Sequence, residues 1–207
     1  AVSEYQVKLS PKASAADAAA LAQELDGELV MSGQIEVSKV QNATAEEKKK
    51  ENITVLEGKN LYNILDVNNQ VMNLTPGSVA VSRKLAQDMD IHIGDTIYWH
   101  LYSKNEWYEA KVGAIYRSTE TQGIAYLRKD YEKTGAAYTP SLLMTNKSPQ
   151  NKKNSDIVTA VNSRQELKDA YTESMQSVNL MVGMMAAFSV LMVVVVLYNS
   201  GVLSFNE

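Results

Sequence analysis

"LMVGMMAAFSVLMVVVVLY", residues 180–198, decides how the rest of this chain is read. These nineteen residues hold one polar side chain, Ser189, and no charge. At about 1.5 Å per residue, a helix of that length covers nearly the ~30 Å of a bilayer's hydrocarbon core. Core helices of ordinary soluble domains are shorter or keep a polar face. The stretch therefore predicts a transmembrane helix over residues 180–198, in which Leu180, Gly183, Ala187, Phe188, Leu191, Val195 and Tyr198 are spaced along its length. Gly183 and Ala187, four apart, set two small side chains on one face, as close helix contacts in lipid prefer.

Working outward, Ser163-Arg164-Gln165-Glu166 has the form of a capping box. In such a box the serine hydroxyl accepts an otherwise unpaired backbone N–H and the glutamate reaches back to the cap. Residues 167–179 contain neither proline nor glycine and run straight into the apolar stretch. One continuous helix is expected over residues 164–198, about 50 Å long. Residues 163–179 would form a stalk and residues 180–198 the membrane span.

Residues 1–162 read differently, as short strands alternating with short helices. In "SEYQVKL" Tyr5, Val7 and Leu9 share one face of a strand. In "SAADAAALAQELDG" Ala18, Leu21, Ala22 and Leu25 recur at helical spacing, with Ser14 as cap and Gly27 as stop. "QIEVSKV" and "NITVLEG" predict strands flanking a solvated hairpin tip at Lys48, Lys49 and Lys50, and "LYNILDV" predicts another strand. "VAVSRKLAQDM" predicts a strand entering a short helix, with Ser82 as N-cap and Leu85, Ala86 and Met89 facing inward. Gly94-Asp95 then turns the chain into two alternating strands over residues 96–102 and 107–116, a hairpin. "GIAYLRKDYEKTG", "SLLMT" and "DIVTAV" add a strand and helix and two late strands. The fold class is α+β: a mixed, small-stranded domain followed by a long C-terminal helix.

Two stretches carry a resemblance to a known family. The closing "VLYNSGVLSFNE" is similar to the signature at the cytoplasmic end of a transmembrane helix in the FtsX-like (MacB-type) permease family of ABC transporters. The matching positions are Leu197, Tyr198, Asn199, Gly201, Val202, Leu203, Ser204, Phe205 and Glu207. "VAVSRKLAQDMDIHIGDTI" resembles the core motif of that family's extracytoplasmic domain through Ser82, Leu85, Ala86, Gly94 and Asp95. The resemblance covers residues 77–207; the first seventy or so match only in general pattern. It implies a permease fragment with residues 1–179 outside the cell membrane of a bacterium, and residues 199–207 opening a cytoplasmic coupling elbow. The implied partners are the membrane, a cytoplasmic ABC ATPase subunit and a second permease unit, in the same longer chain or as a homodimer. Arginines and a coupling helix are expected to follow Glu207. Tyr198 and Asn199 would mark the inner interface, where an amphipathic ring is favoured.

Other chemistry is bounded by what the 207 residues contain. The sequence holds no cysteine, which removes disulfides, zinc–thiolate sites and thiol nucleophiles together. A formal charge of −4 and no clustered basic face argue against nucleic acid. The pattern G-x-x-x-x-G-K-[ST] does not occur, so ATP hydrolysis is expected in another polypeptide, and the chain is not expected to be an enzyme or to carry a cofactor. His92 and His100 lack metal-ligand spacing and are expected as surface or packing residues. Asp95 is expected to bond backbone N–H groups in its own turn, and Ser82 to cap a helix rather than act as a nucleophile. Tyr98, Trp99, Tyr102, Trp107, Tyr108 and Tyr116 concentrate in the hairpin, as cross-strand pairs or an exposed contact surface. The leading expectation is a non-enzymatic permease fragment. The alternative is a surface-anchored binding or sensor module with a single membrane helix.

Overall fold

The computed structural model describes residues 3–118, 121–152 and 155–204. The chain divides into two units, Ala1–Ser163 and Arg164–Glu207. In the first, β1 (Tyr5–Leu9) buries Val7 and Leu9, and α1 (Ala15–Glu24) follows. Ser14 caps α1 by accepting from the Asp17 N–H while the Asp17 carboxylate accepts from the Ser14 N–H. This reciprocal box satisfies two donors that a helix start otherwise leaves open. Ala18, Leu21 and Ala22 turn inward.

β2 (Glu28–Ser38) is the strand on which the architecture hinges. Its first residues pair with β10 (Leu142–Thr145), its middle with β3 (Lys49–Leu56), and its end with β7 (Thr96–Leu101). The remaining elements are β4 (Ile64–Leu65), β5 (Val71–Met72), β6 (Val79–Ser82), α2 (Arg83–Met89), β8 (Tyr108–Tyr116), β9 (Gly123–Leu127), α3 (Arg128–Lys133) and β11 (Val158–Ser163). The sheet order β2-β3-β9-β6-β8-β7 returns to β2, closing six strands into a barrel-like ring. β3 with β9 and β6 with β8 are parallel; the other ring pairs are antiparallel. Strands β10, β1 and β11 extend from β2 as a wing, all antiparallel.

Three apolar clusters follow. Ile35, Ile53, Val81, Leu85, Ile97 and Trp99 belong to the barrel core. Val7, Leu21, Leu25 and Leu143 join α1 to the wing. Ile64, Tyr116, Ala125 and Met144 sit with the small β4–β5 hairpin. Two expectations shift. "LYNILDV" contributes only Ile64–Leu65, which pair with the unforeseen β5. Lys49 and Lys50 open β3 instead of a free tip: Lys49 pairs with Asp88, and Lys50 donates to the Tyr102 hydroxyl at 2.8 Å.

The second unit is one helix, α4 (Arg164–Ser204), 41 residues long. It begins in the residue after β11 ends. It passes Tyr198, where the sequence reading ends it, because nothing at residues 199–204 breaks it. Gly201 lacks the left-handed φ that a terminating glycine adopts.

Candidate functional site

By length and composition α4 can cross a membrane. At about 1.5 Å per residue it is about 60 Å long, and its most apolar stretch has no buried residue. Leu180 and Phe188 are 68% exposed and Leu191 59%. Val195 and Tyr198 are exposed as well, and nothing approaches Gly183 within 4 Å of a Cβ built there. Ser189 donates its hydroxyl to the Met185 carbonyl at 2.9 Å, one turn back. A hydroxyl satisfied inside its own helix is compatible with lipid, where no water would pair it. Of the terminal motif, Leu197, Asn199, Gly201, Val202, Leu203 and Ser204 lie in the helix, so the stretch assigned to an elbow starts as helix. Phe205 and Glu207 lie outside the described residues. At the other end Ser163 closes β11 and Glu166 is the acidic residue of the first turn of α4. Gln165 donates to Asp169 at 2.8 Å on the polar portion.

The second motif assembles around α2 and the turn after it. Ser82 is fully buried and its Oγ accepts from Leu85 N–H at 3.4 Å and from Gly123 N–H at 2.9 Å. One hydroxyl thus caps α2 and ties it to β9. Gly123 has φ +127 and lies so close to Asn52 that a Cβ would overlap that backbone, so only glycine fits. Leu85 and Ala86 enter the barrel core. Gly94, at φ +97, donates to the Val112 carbonyl at 2.8 Å, and the Asp95 carboxylate accepts from the His92 N–H at 2.8 Å. These five residues build a corner of the barrel. Asp95 bonds within its own turn, in the manner read from the sequence, and His92 is exposed beside it.

The aromatic hairpin is largely internal. Trp99 lies opposite Tyr108 in the β7–β8 register, with ring centroids 4.8 Å apart. Trp99 Nε1 donates to the Tyr126 hydroxyl at 3.0 Å and its ring stacks on Tyr131. Burial raises the Tyr126 and Tyr131 phenols to about 12, so both are neutral donors and acceptors at physiological pH. Tyr102 is exposed and Tyr98 and Trp107 partly so. His100 is buried. Its Nε2 lies 2.8 Å from Glu36 Oε2, directly across the β2–β7 seam, and its Nδ1 lies 2.6 Å from the Lys104 carbonyl oxygen.

Two buried carboxylates carry structure that the sequence reading missed. Glu28 has no exposed surface and accepts four backbone N–H groups, from Gly58, Lys59, Leu61 and Tyr62, at 2.8–3.3 Å. It holds the loop that leads into β4. Asp130 accepts from Lys133 Nζ and from the Gly77 N–H, both at 2.7 Å, and these bonds hold its carboxyl below the usual carboxylate range. Neither has a local signal: Glu28 follows Asp26 and Gly27 at a strand start, and Asp130 lies in a charged stretch after Arg128 and Lys129. Among the described residues, no three His, Asp or Glu side chains are grouped to hold a metal ion.

Comparison with known proteins leaves the family unassigned: no protein-family model and no curated protein matches this chain.

Proposed function

We propose that this chain is part of an ABC transporter permease subunit of the FtsX-like type, which couples an extracytoplasmic α+β domain mechanically to a cytoplasmic ATPase. The observation that carries the reading is the unbroken α4. α4 runs from polar residues through a bilayer-length apolar stretch with no proline and no left-handed glycine inside it to absorb a displacement along its length. Its backbone N–H and C=O groups are paired internally, which lipid requires. The resemblance of residues 77–207 to the family supplies the identity of the partners. In this reading residues 1–179 are extracytoplasmic and the end of α4 is cytoplasmic. ATP hydrolysis belongs to a separate subunit, and the work done is export or the transmission of force to extracytoplasmic enzymes.

The test uses the intact transporter. Insertion of Gly-Gly after Ser174 is expected to leave both the barrel and the ATPase folded while transport per ATP hydrolysed falls at least tenfold. Transport at the original ratio in that variant would end the coupling reading. Residues 1–207 contain no cysteine, so in a transporter whose remaining cysteines are replaced, single cysteines at Ser103 and Ser200 report orientation. An impermeant maleimide should label the first and spare the second in intact cells.

A further inference from the structure

A second site lies on the barrel unit, away from α2 and the aromatic core. The ring strands set small side chains side by side: Thr54 of β3 is opposite Ala125 of β9, Ala125 opposite Ala80 of β6, and Ala80 opposite Ala114 of β8. The β4–β5 hairpin covers part of this row with Ile64 and Leu65, and between them lies a cavity of about 350 Å³. That is within the range of small-molecule sites, about 300–1,000 Å³.

Among the described residues lining the cavity, Arg117 is the one cation and none is a carboxylate; Asn63, Asn69, Tyr62 and Tyr116 surround it. Arg117 is placed by its backbone, whose N–H donates to the Leu65 carbonyl at 2.8 Å, and by its side chain, whose Nη1 donates to Asn69 Oδ1 at 3.3 Å. The carboxylate near the hairpin tip, Asp66, is engaged in the turn: its Oδ1 accepts from the Asn68 and Gln70 N–H groups, both at 2.8 Å. Deeper in, Thr54, 4% exposed, lines the cavity floor beside Ala125.

We propose that this cavity binds a small carboxylate-bearing ligand with amide groups, its carboxylate on Arg117 and its amides on Asn63, Asn69 and Thr54. A single guanidinium matches a planar, singly charged carboxylate in two parallel hydrogen bonds. Phosphate, carrying more charge, is poorly neutralised by one cation. The two tyrosine rings and Ile64 supply apolar walls for the short side chains between the polar groups. The inference is independent of the permease reading, since it rests on the barrel unit alone.

The test uses the full chain in detergent micelles and N-acetyl-alanyl-alanine as probe, followed by saturation-transfer difference NMR. The acid is expected to bind with a millimolar Kd and its C-terminal amide at least tenfold more weakly. Arg117→Gln should abolish that preference. Thr54→Val, which keeps the side chain's shape, should weaken the acid about threefold to tenfold. Melting curves confirm that both variants stay folded. Equal binding of acid and amide, a preference that survives Arg117→Gln, or displacement of the acid by equimolar inorganic phosphate would each overturn the proposal. Loss of transport coupling in the Gly-Gly variant leaves this result untouched, so the two readings fail separately.

Discussion

Valine does opposite things in the two units. In the barrel Val37, Val55 and Val81 have no exposed surface and pack against residues far along the chain. In α4 Val193, Val194 and Val196 are each 57% exposed. Single exposed apolar residues are ordinary on protein surfaces, but a continuous apolar face of this length is not. At about 25 cal/mol per Å² of apolar surface, the barrel recovers its hydrophobic free energy from its own side chains. The helix recovers almost none, and its apolar face needs lipid or other helices around it. The same residue type is therefore a folding residue in one unit and an environment-seeking residue in the other.

The hardest blow to this contrast falls on the barrel core. Trp99→Ala removes a fully buried indole in ring contact with Tyr108, Tyr126 and Tyr131, together with the hydrogen bond to the Tyr126 hydroxyl. A loss of about 3–5 kcal/mol is expected, read as a fall of about 2–4 °C in Tm per kcal/mol for a domain of this size. Leu191→Ala, by contrast, should leave the barrel transition where it was. An unchanged melting curve for Trp99→Ala would deny the ring cluster its part in the core. The next largest effect is in the helix. Leu191→Arg places a charge near the middle of the apolar stretch, where insertion is penalised by about 2.5–3.5 kcal/mol. Membrane-integrated protein should drop sharply in a glycosylation-tag insertion assay while barrel melting is preserved. Full insertion of this variant would mean that α4 is not a lipid-facing span.

How much of this was legible follows from where each signal resides. Local periodicity located α1, α2, β6 to β9 and α4, because each depends on residues three or four apart in helices and two apart in strands. The roles of Ser14, Ser82 and Asp95 were readable for the same reason. What escaped depends on distant residues meeting. β2 serves three partners, and no residue within it announces that its last four will close a ring onto β7. Glu28 looks like a solvent residue at a strand start, since its four donors come from residues 58–62. "LYNILDV" has strand-forming composition, yet only two residues find a partner. The cavity above Thr54 and Ala125 exists through register, which composition does not encode. In α4 the apolar run was plain, but the continuation of the helix past Tyr198 to Ser204 was not, because the residues beyond are permissive of helix without announcing it.

A smaller effect sharpens the role of the α2 corner. Ser82→Ala deletes the acceptor shared by the Leu85 and Gly123 N–H groups, both buried. Loss of a cap combined with a stranded buried donor is expected to cost about 1–2 kcal/mol. Hydrogen exchange should quicken at Leu85 and Gly123 and stay unchanged in α4. Uniform exchange across the barrel unit would show that the hydroxyl is not what ties α2 to β9.

The smallest effect concerns the seam that closes the ring. Glu36 accepts from Lys48 at 2.7 Å and lies 2.8 Å from His100 Nε2. The Lys48 bond, with a smaller contribution from His100, holds its carboxyl below the usual glutamate range against the opposing effect of burial. A carboxylate with a depressed native pKa adds stability that is complete above its unfolded value and is lost as the pH falls through the native one. Glu36→Gln keeps the shape and removes the charge, so its cost should be greatest at neutral pH, at most about 1 kcal/mol for so shallow a pair. The difference in Tm between the two proteins should shrink on acidification toward pH 3. Comparing the pair at each pH cancels the other carboxylates, including Glu51, whose burial raises its pKa and gives the opposite trend. α4 supplies the control, because residues 180–197 contain no Asp, Glu, Lys, Arg or His. Its membrane association should be the same at pH 4 and pH 7 while the barrel's stability is not. A constant Tm difference across that range would mean that the β2–β7 seam is held by its backbone ladder and apolar neighbours, with the Glu36 charge contributing nothing.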